Sequence, residues 1–214
     1  MPCFFIDPGA VAHLGARDPA LRAAMEQIGP VQREVEPDLF AALVNSIVGQ
    51  QISTKAHVTI WGRFRDRLGA VTPDTVLALT DEELQALGIS FRKVSYIKNI
   101  AARAADGRLD LDALRLQPDG EVCRALSSLG GVGVWTAEML MLFSMERPDI
   151  VSFGDLALLR GMRMLYHHRS IDRKRFDVYR RRYSPYGSTA SLYLWAIAGG
   201  AIPGMRDYAP KGQK

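Results

Sequence analysis

Cysteine is nearly missing from this 214-residue chain, which holds only Cys3 and Cys123. One such pair builds no disulfide framework, supplies no zinc spacing and cannot provide the four thiolates of an iron–sulfur cluster. The four histidines, His13, His57, His167 and His168, show no ligand spacing, and the adjacent pair would point to different faces of a helix. Long hydrophobic runs are also absent: Arg, Glu or Gly interrupts each apolar stretch well before the ~20 residues of a membrane span. The opening MPCFFIDPGAVAHL lacks a basic stretch and meets Asp7 and Pro8 early, so it does not read as a secretory or organelle address. A soluble cytoplasmic protein is expected. There is no Walker loop and no dinucleotide fingerprint, because the glycine-rich turn of this chain follows a helical stretch, not a strand.

Strand signals are just as scarce. Apolar residues recur at intervals of three and four through most of the chain while period-2 alternation is rare, which predicts an all-α protein. A content of 48% hydrophobic and 23% charged residues is that of a globular chain, and 214 residues suffice for one well-buried core or two small lobes sharing it.

Helix starts are legible. Pro37 and Asp38 open a helix with Phe40, Leu43, Val44, Ile47 and Val48 on its apolar side, and Ser53 with Thr54 caps the next, whose apolar face reads as Val58, Trp61, Phe64 and Leu68. Thr72-Pro73 and the capping box Thr80-Asp81-Glu82-Glu83 start two more, the second closed by Gly88. GISFRKVSYIKNIAARAAD is a turn followed by a helix that Asp106-Gly107 breaks; Pro118 precedes another helix, and Asp155, Ser170 and Pro185 head the last three. About ten short helices result, with no repeat and no low-complexity segment. Residues 1–36 carry the least information.

The net charge of +4 is unevenly placed, with 11 Lys or Arg against 3 Asp or Glu from Gly161 onward. Such asymmetry suits a polyanionic partner, although Arg180, Arg181 and Arg182 on their own also fit a solvated helix face.

The most informative segment is LGGVGVWTAEML, Leu129 to Leu140, followed nineteen residues after its last glycine by SFGDLALLRG with a lone acidic residue, Asp155. A glycine-punctuated turn between two helices lets backbone N–H groups approach a phosphate closely, since no Cβ intervenes and the second helix begins there with its positive end. Taken alone, the turn also fits a plain helix–helix connection with a glycine C-cap. Asp155 directly precedes LALLRGM and is a good N-cap; that role is compatible with a chemical one, because a helix N-terminus favours negative charge.

LGGVGVWTAE followed by this Asp resembles the helix-hairpin-helix DNA glycosylase superfamily. VNSIVGQQIS (Val44 to Ser53) and SPYGSTASLYLW (Ser184 to Trp195) are similar to segments of its 3-methyladenine DNA glycosylase II, or AlkA-type, branch, so the likeness runs from about Asp38 to Pro203. The chain looks like a compact member without the N-terminal β-rich domain. The resemblance implies two helical lobes with the active-site cleft between them. Residues 1–36 would be a segment packing on the helical core, 37–203 the glycosylase domain and 204–214 a tail.

By that resemblance Leu129, Gly130, Gly131, Val132, Gly133 and Val134 bind DNA phosphates through main-chain nitrogens. Carbonyls of Ser127, Leu129 and Val132 hold a sodium or potassium ion. Asp155 is the catalytic carboxylate, with Asp149 a backup that reads as structural. Trp135 and Trp195 wall the base pocket, whereas Trp61 reads as core. Met139 stands where the branch's best-known member has a pocket tyrosine, and Phe40 or Tyr186 supplies an aromatic instead. Gln51 is the wedge that fills the vacated stack, with Gln50, Ile52 and Ser53 beside it, while a polar helix end is the plainer reading. Arg92 and Lys93 touch the other strand or are merely solvated.

Trp135 also occupies the position at which the lyase-competent branch, resembling endonuclease III, carries its Schiff-base lysine. The implied chemistry is therefore hydrolysis by water to leave an abasic site, without an iron–sulfur cluster or other cofactor. The implied partner is double-stranded DNA with alkylated bases such as 3-methyladenine and 7-methylguanine, bound by a monomer, at the nucleoid if the source is bacterial. The alternatives are a monofunctional glycosylase for hypoxanthine, ethenoadenine or uracil, the last having only Asn45 and Gln50 as polar candidates, and a non-catalytic hairpin DNA-binding protein.

Overall fold

The computed structural model describes residues 2–210; Lys211 to Lys214, the end of the expected tail, lie outside the described residues, as does Met1. The chain order is α1 (Pro8–Arg17), α2 (Pro19–Ile28), α3 (Leu39–Gly49), α4 (Thr54–Leu68), α5 (Pro73–Leu77) and α6 (Asp81–Ala86). It continues with α7 (Phe91–Ala105), α8 (Leu111–Leu114), α9 (Asp119–Ser127) and α10 (Val134–Phe143), and ends with α11 (Leu156–Tyr166), α12 (Arg173–Tyr183) and α13 (Gly187–Ala198). Pairing between strands is limited, among the described residues, to one antiparallel bridge between Cys3 and Glu34. The all-α expectation holds. Among the described residues thirteen helices replace about ten, chiefly because α1 and α2 occupy the uninformative N-terminal stretch and short turns such as α8 are too brief for a periodic signal.

Caps explain the boundaries. Asp7 and Asp18 each precede a proline and accept a backbone N–H, so α1 and α2 start by the same device. Asp38 and Ser53 cap α3 and α4, and the capping boxes at Thr72 and Thr80 are both formed. The last helices start slightly later than expected, α12 after Asp172 and α13 after Tyr186. Val58 is a correction: it is 68% exposed while Phe64 is buried. Six residues before Phe64, it lies about 120° round the helix from it, off the buried seam.

The helices form two compact units, one drawn from Met1–Val35 and Glu146–Lys214, the other Glu36–Met145. In the first, Leu14, Leu21, Leu158, Met162, Phe176 and Leu194 are central to the core. Gly161 of α11 lies so close to α13 that a Cβ there would sit 2.1 Å from the Leu194 carbonyl oxygen, so only glycine permits this crossing. Asp18, 1% exposed, ties the unit together: its Oδ1 accepts the Leu21 N–H at 2.9 Å, and its Oδ2 accepts the Tyr166 hydroxyl and the Arg182 guanidinium, each at 2.8 Å. A buried carboxylate with three donors avoids the large penalty of an unpaired buried charge. The second unit buries Leu43, Ile47, Phe64, Val94, Ile97, Leu126 and Met141.

Candidate functional site

In the first unit, Asp155 caps α11. Its Oδ1 accepts the Leu158 backbone N–H at 2.8 Å and the Trp195 indole N–H at 3.1 Å, and the residue is only 7% exposed. The α11–α13 crossing at Gly161 brings this cap beside a side chain forty positions further along. Two donors on one oxygen fix the carboxylate in orientation, as an acid–base or electrostatic group requires. The neighbouring Leu156 is 80% exposed, so the first turn of α11 presents an open surface next to the buried carboxylate.

Asp149 has a different set of partners. It accepts from Arg180 at 2.9 Å, Ser184 at 2.7 Å and the Gly187 N–H at 2.9 Å, and so anchors the start of α13. Arg180 and Arg182 thus turn inward to Asp149 and Asp18 while Arg181 stays exposed, and the triple-arginine run is mostly structural. Tyr186, half-buried, sets its ring edge-on to His13 at 5.2 Å.

In the second unit, the hairpin joins α9 to α10. Gly131 has a φ of +83°, which favours glycine, and a Cβ there would lie 2.6 Å from Tyr96 Cδ2; at Gly130 the nearest approach would be 2.9 Å, to Tyr96 Cδ1. Two glycines are needed because an aromatic ring lies against them. Gly133 is the N-cap of α10 without a side-chain cap. Among the described residues the N–H groups of Gly130, Gly131, Gly133 and Val134 make no backbone hydrogen bond. Leu129 and Val132 are buried, so these two anchor the turn by their side chains. Donors gathered before a ten-residue helix suit an anion.

Arg92 and Lys93 stand on the first turn of α7. Lys93 Nζ donates to the Val48 and Gln50 carbonyls at 2.8 and 2.7 Å, and burial pulls its ammonium below the ordinary lysine range. Arg92 Nε donates to the Tyr96 hydroxyl at 2.8 Å. Gln50 Nε2 donates to the Gly131 carbonyl at 2.7 Å. Gln51 is exposed with a φ of 57°, and Ile52 and Ser53 follow it on the surface. The structure therefore gathers Gln50, Lys93, Arg92 and the hairpin about Tyr96, a residue not singled out from sequence, whose signal is the adjacent Gly-Gly it covers.

Trp135, 48% exposed, and half-buried Met139 stand on α10 in the hairpin unit, whereas Asp155, Trp195 and Tyr186 belong to the other unit. Phe40 is buried in α3. Trp61, half-buried, stacks on Phe64 with centroids 6.0 Å apart. No group of three His, Cys, Asp or Glu side chains that could hold a metal occurs among the described residues. Likewise, no helix among them is long and apolar enough to cross a membrane.

Known proteins share sequence and fold with this chain. The chain is 28% identical over 195 residues to DNA-3-methyladenine glycosylase 1 of Schizosaccharomyces pombe, covering 87% of this chain and 85% of that protein. The crystal structure of a DNA-3-methyladenine glycosidase from Bacillus halodurans superposes with a TM-score of 0.83 at 38% identity, covering 93% of each chain. The S. pombe 3-methyladenine DNA glycosylase in complex with abasic DNA superposes with a TM-score of 0.74 at 25% identity, covering 91% of this chain and 98% of that one. Residues 44–181, more than half of the chain, match the family described as HhH-GPD superfamily base excision DNA repair protein, and the chain belongs to that family.

Proposed function

We propose that this protein is a monofunctional DNA glycosylase that extrudes alkylated bases, 3-methyladenine and 7-methylguanine among them, and hydrolyses their N-glycosidic bond to leave an abasic site. The observation that carries the reading is Asp155, a nearly buried helix-capping carboxylate bonded to a tryptophan, in a chain similar to named 3-methyladenine glycosylases.

The chemistry follows from charge. In a cationic alkylpurine, the C1′–N bond breaks with its electron pair passing to the base, which leaves neutral and needs little protonation. Positive charge develops on the sugar, and Asp155 stabilises it electrostatically. Water then adds to C1′, and its proton passes to Asp155 or to solvent. Trp195 beside Asp155 offers a stacking surface to a cationic base, an attraction of about 1–2 kcal/mol when desolvated. Trp135, exposed on α10, leaves the Schiff-base position without an amine.

The hairpin amides hold backbone phosphate, and Gln51 enters the stack when the base is extruded. A sodium or potassium ion fits the donor chemistry of the same turn. Among the described residues the Ser127 and Val132 carbonyls accept no backbone hydrogen bond outside a helix, and the Leu129 carbonyl takes the Val132 N–H at 3.0 Å. Such an ion would be coordinated by these carbonyls and would add positive charge beside the bound phosphate. Uracil fits less well, since Asn45 Oδ1 is engaged by His57 at 2.6 Å and Gln50 by Gly131. The protein is taken to act as a monomer on double-stranded DNA in the cytoplasm, at the nucleoid in a bacterium.

The test is base release from methylated duplex DNA by wild type and Asp155→Asn, with strands analysed before and after alkali. Release by the wild type alone, with breaks only after alkali, is expected. Equal release by both would remove Asp155 from the chemistry. Breaks without alkali would contradict the hydrolytic route, and no release from methylated DNA would turn attention to hypoxanthine and ethenoadenine substrates.

A further inference from the structure

Gln51 adopts a left-handed backbone conformation, φ 57°, beside a set of contacts that also reaches the hairpin. A left-handed residue other than glycine costs on the order of 1 kcal/mol and persists only where its surroundings impose it. Here Gln51 follows the last turn of α3, whose terminal carbonyls have no intrahelical partner. The Lys93 ammonium takes two carbonyls at that end, those of Val48 and Gln50, and places a cation at the negative end of the helix. From the residue adjoining Gln51, the Gln50 side chain crosses to the Gly131 carbonyl, in the centre of the hairpin. One turn beyond Lys93, Tyr96 lies against Gly130 and Gly131, with its hydroxyl held by Arg92. The first two turns of α7, together with Gln50, thus link the Gln51 turn and the hairpin in one platform.

We propose that Lys93 and Gln50 are positioning residues for base extrusion. They hold Gln51 exposed, at a fixed offset from the hairpin amides, so that the grip on the backbone and the wedge act on the same nucleotide. This rests on the glycosylase reading with Gln51 as wedge, and it replaces strand contact as the role of Lys93. The ammonium is spent on two protein carbonyls; its neighbour Arg92 supports the platform.

Opening a paired, stacked base costs a few kcal/mol, and least where pairing is already lost. A defect in wedge positioning therefore depends on the pairing of the substrate, whereas a general structural defect does not. Single-turnover base release is to be measured on two duplexes carrying the same alkylated base, one opposite its normal partner and one opposite an abasic site. For Lys93→Met, Gln50→Leu and Gln51→Ala, the rate on the paired duplex relative to the unpaired one is expected to fall about tenfold from the wild-type ratio. Lys93→Arg, which retains donors for both carbonyls, restores much of the ratio. The double variant Lys93→Met with Gln51→Ala is expected to be no worse than the poorer single variant, because both act through one wedge. Equal losses on both duplexes, or multiplying losses in the double variant, would overturn the proposal. Absence of release by the wild type from either duplex would overturn the glycosylase reading, and the inference with it.

Discussion

The indole N–H of Trp195 and the backbone N–H of Leu158 converge on the same oxygen of Asp155, at 3.1 and 2.8 Å. One carboxylate oxygen thus serves both as helix cap and as acceptor for an indole. Asparagine retains an acceptor oxygen for both donors but not the charge, so Asp155→Asn should fold almost as well as the wild type, with stability changed by less than about 1 kcal/mol. Base release should fall by roughly 100-fold or more, the scale of losing an electrostatic group at the reacting centre. Thermal unfolding and base release measured on one preparation check both halves; a large loss of stability would mean that the carboxylate is chiefly structural.

Trp195→Phe keeps a stacking ring and deletes the donor. A hydrogen bond to a charged group contributes about 1.5–3 kcal/mol, so base release should drop by about 10- to 100-fold if its orienting effect is used in the transition state. An unchanged rate constant at saturating DNA would show that the ring alone matters.

Gly161→Ala should separate that pair indirectly. Its Cβ would stand 2.1 Å from the Leu194 carbonyl oxygen, a backbone atom that moves only if α13 moves. Overpacking of this kind costs about 1–3 kcal/mol or more. Urea unfolding should show that loss, and tryptophan fluorescence should register a changed Trp195 environment. A variant as stable as the wild type would contradict the close crossing of the two helices.

At the hairpin, Gly131→Ala places a side chain at φ +83° and against the Tyr96 ring. The left-handed strain alone costs about 1 kcal/mol, so DNA affinity and stability should both decline. Adding Tyr96→Ala removes the clash and should recover part of the affinity, while the backbone strain remains. Fluorescence anisotropy with undamaged duplex DNA measures this, and full independence of the two substitutions would show that the ring does not shape the turn.

His168 predicts a stability change near neutrality. Burial first, then the charges of Arg175 and His167, pull its pKa below the ordinary histidine value, while the ring bonds the Tyr179 hydroxyl at 2.8 Å. The folded state therefore binds this proton less well than the unfolded chain. Its contribution to stability is present above the unfolded value of about 6.5 and declines as pH falls toward the lowered folded value, below which the loss is complete. Urea titrations between about pH 5 and 8 should show this slope, reduced in His168→Gln. An identical pH dependence in the variant would assign the slope to other groups.

Much of the fold was legible because caps and periodicity act within one or two helical turns. Asp38, Ser53, Thr72, Thr80 and Asp155 are all observed caps that their own neighbours announce. Asp7-Pro8 and Asp18-Pro19 carried the same signal in the N-terminal stretch. Lys93 was legible only as a charge near a turn, and its carbonyl partners more than forty positions away could not be inferred from spacing. Arg180 and Arg182 read as surface charge for the same reason, their acidic partners Asp149 and Asp18 being remote in sequence.

By itself the sequence determined the helical class, the glycine hairpin, the acidic helix cap and the absence of an amine at Trp135, since each depends on residue chemistry or on conformational limits a few residues long. Only the tertiary structure decided that Trp195 bonds Asp155, that Tyr96 lies on the glycines, and that Gln50 and Lys93 join the Gln51 turn to the hairpin. Those partners meet because helices pack, and a packing contact between positions 40 or 81 residues apart leaves no periodic trace in the chain.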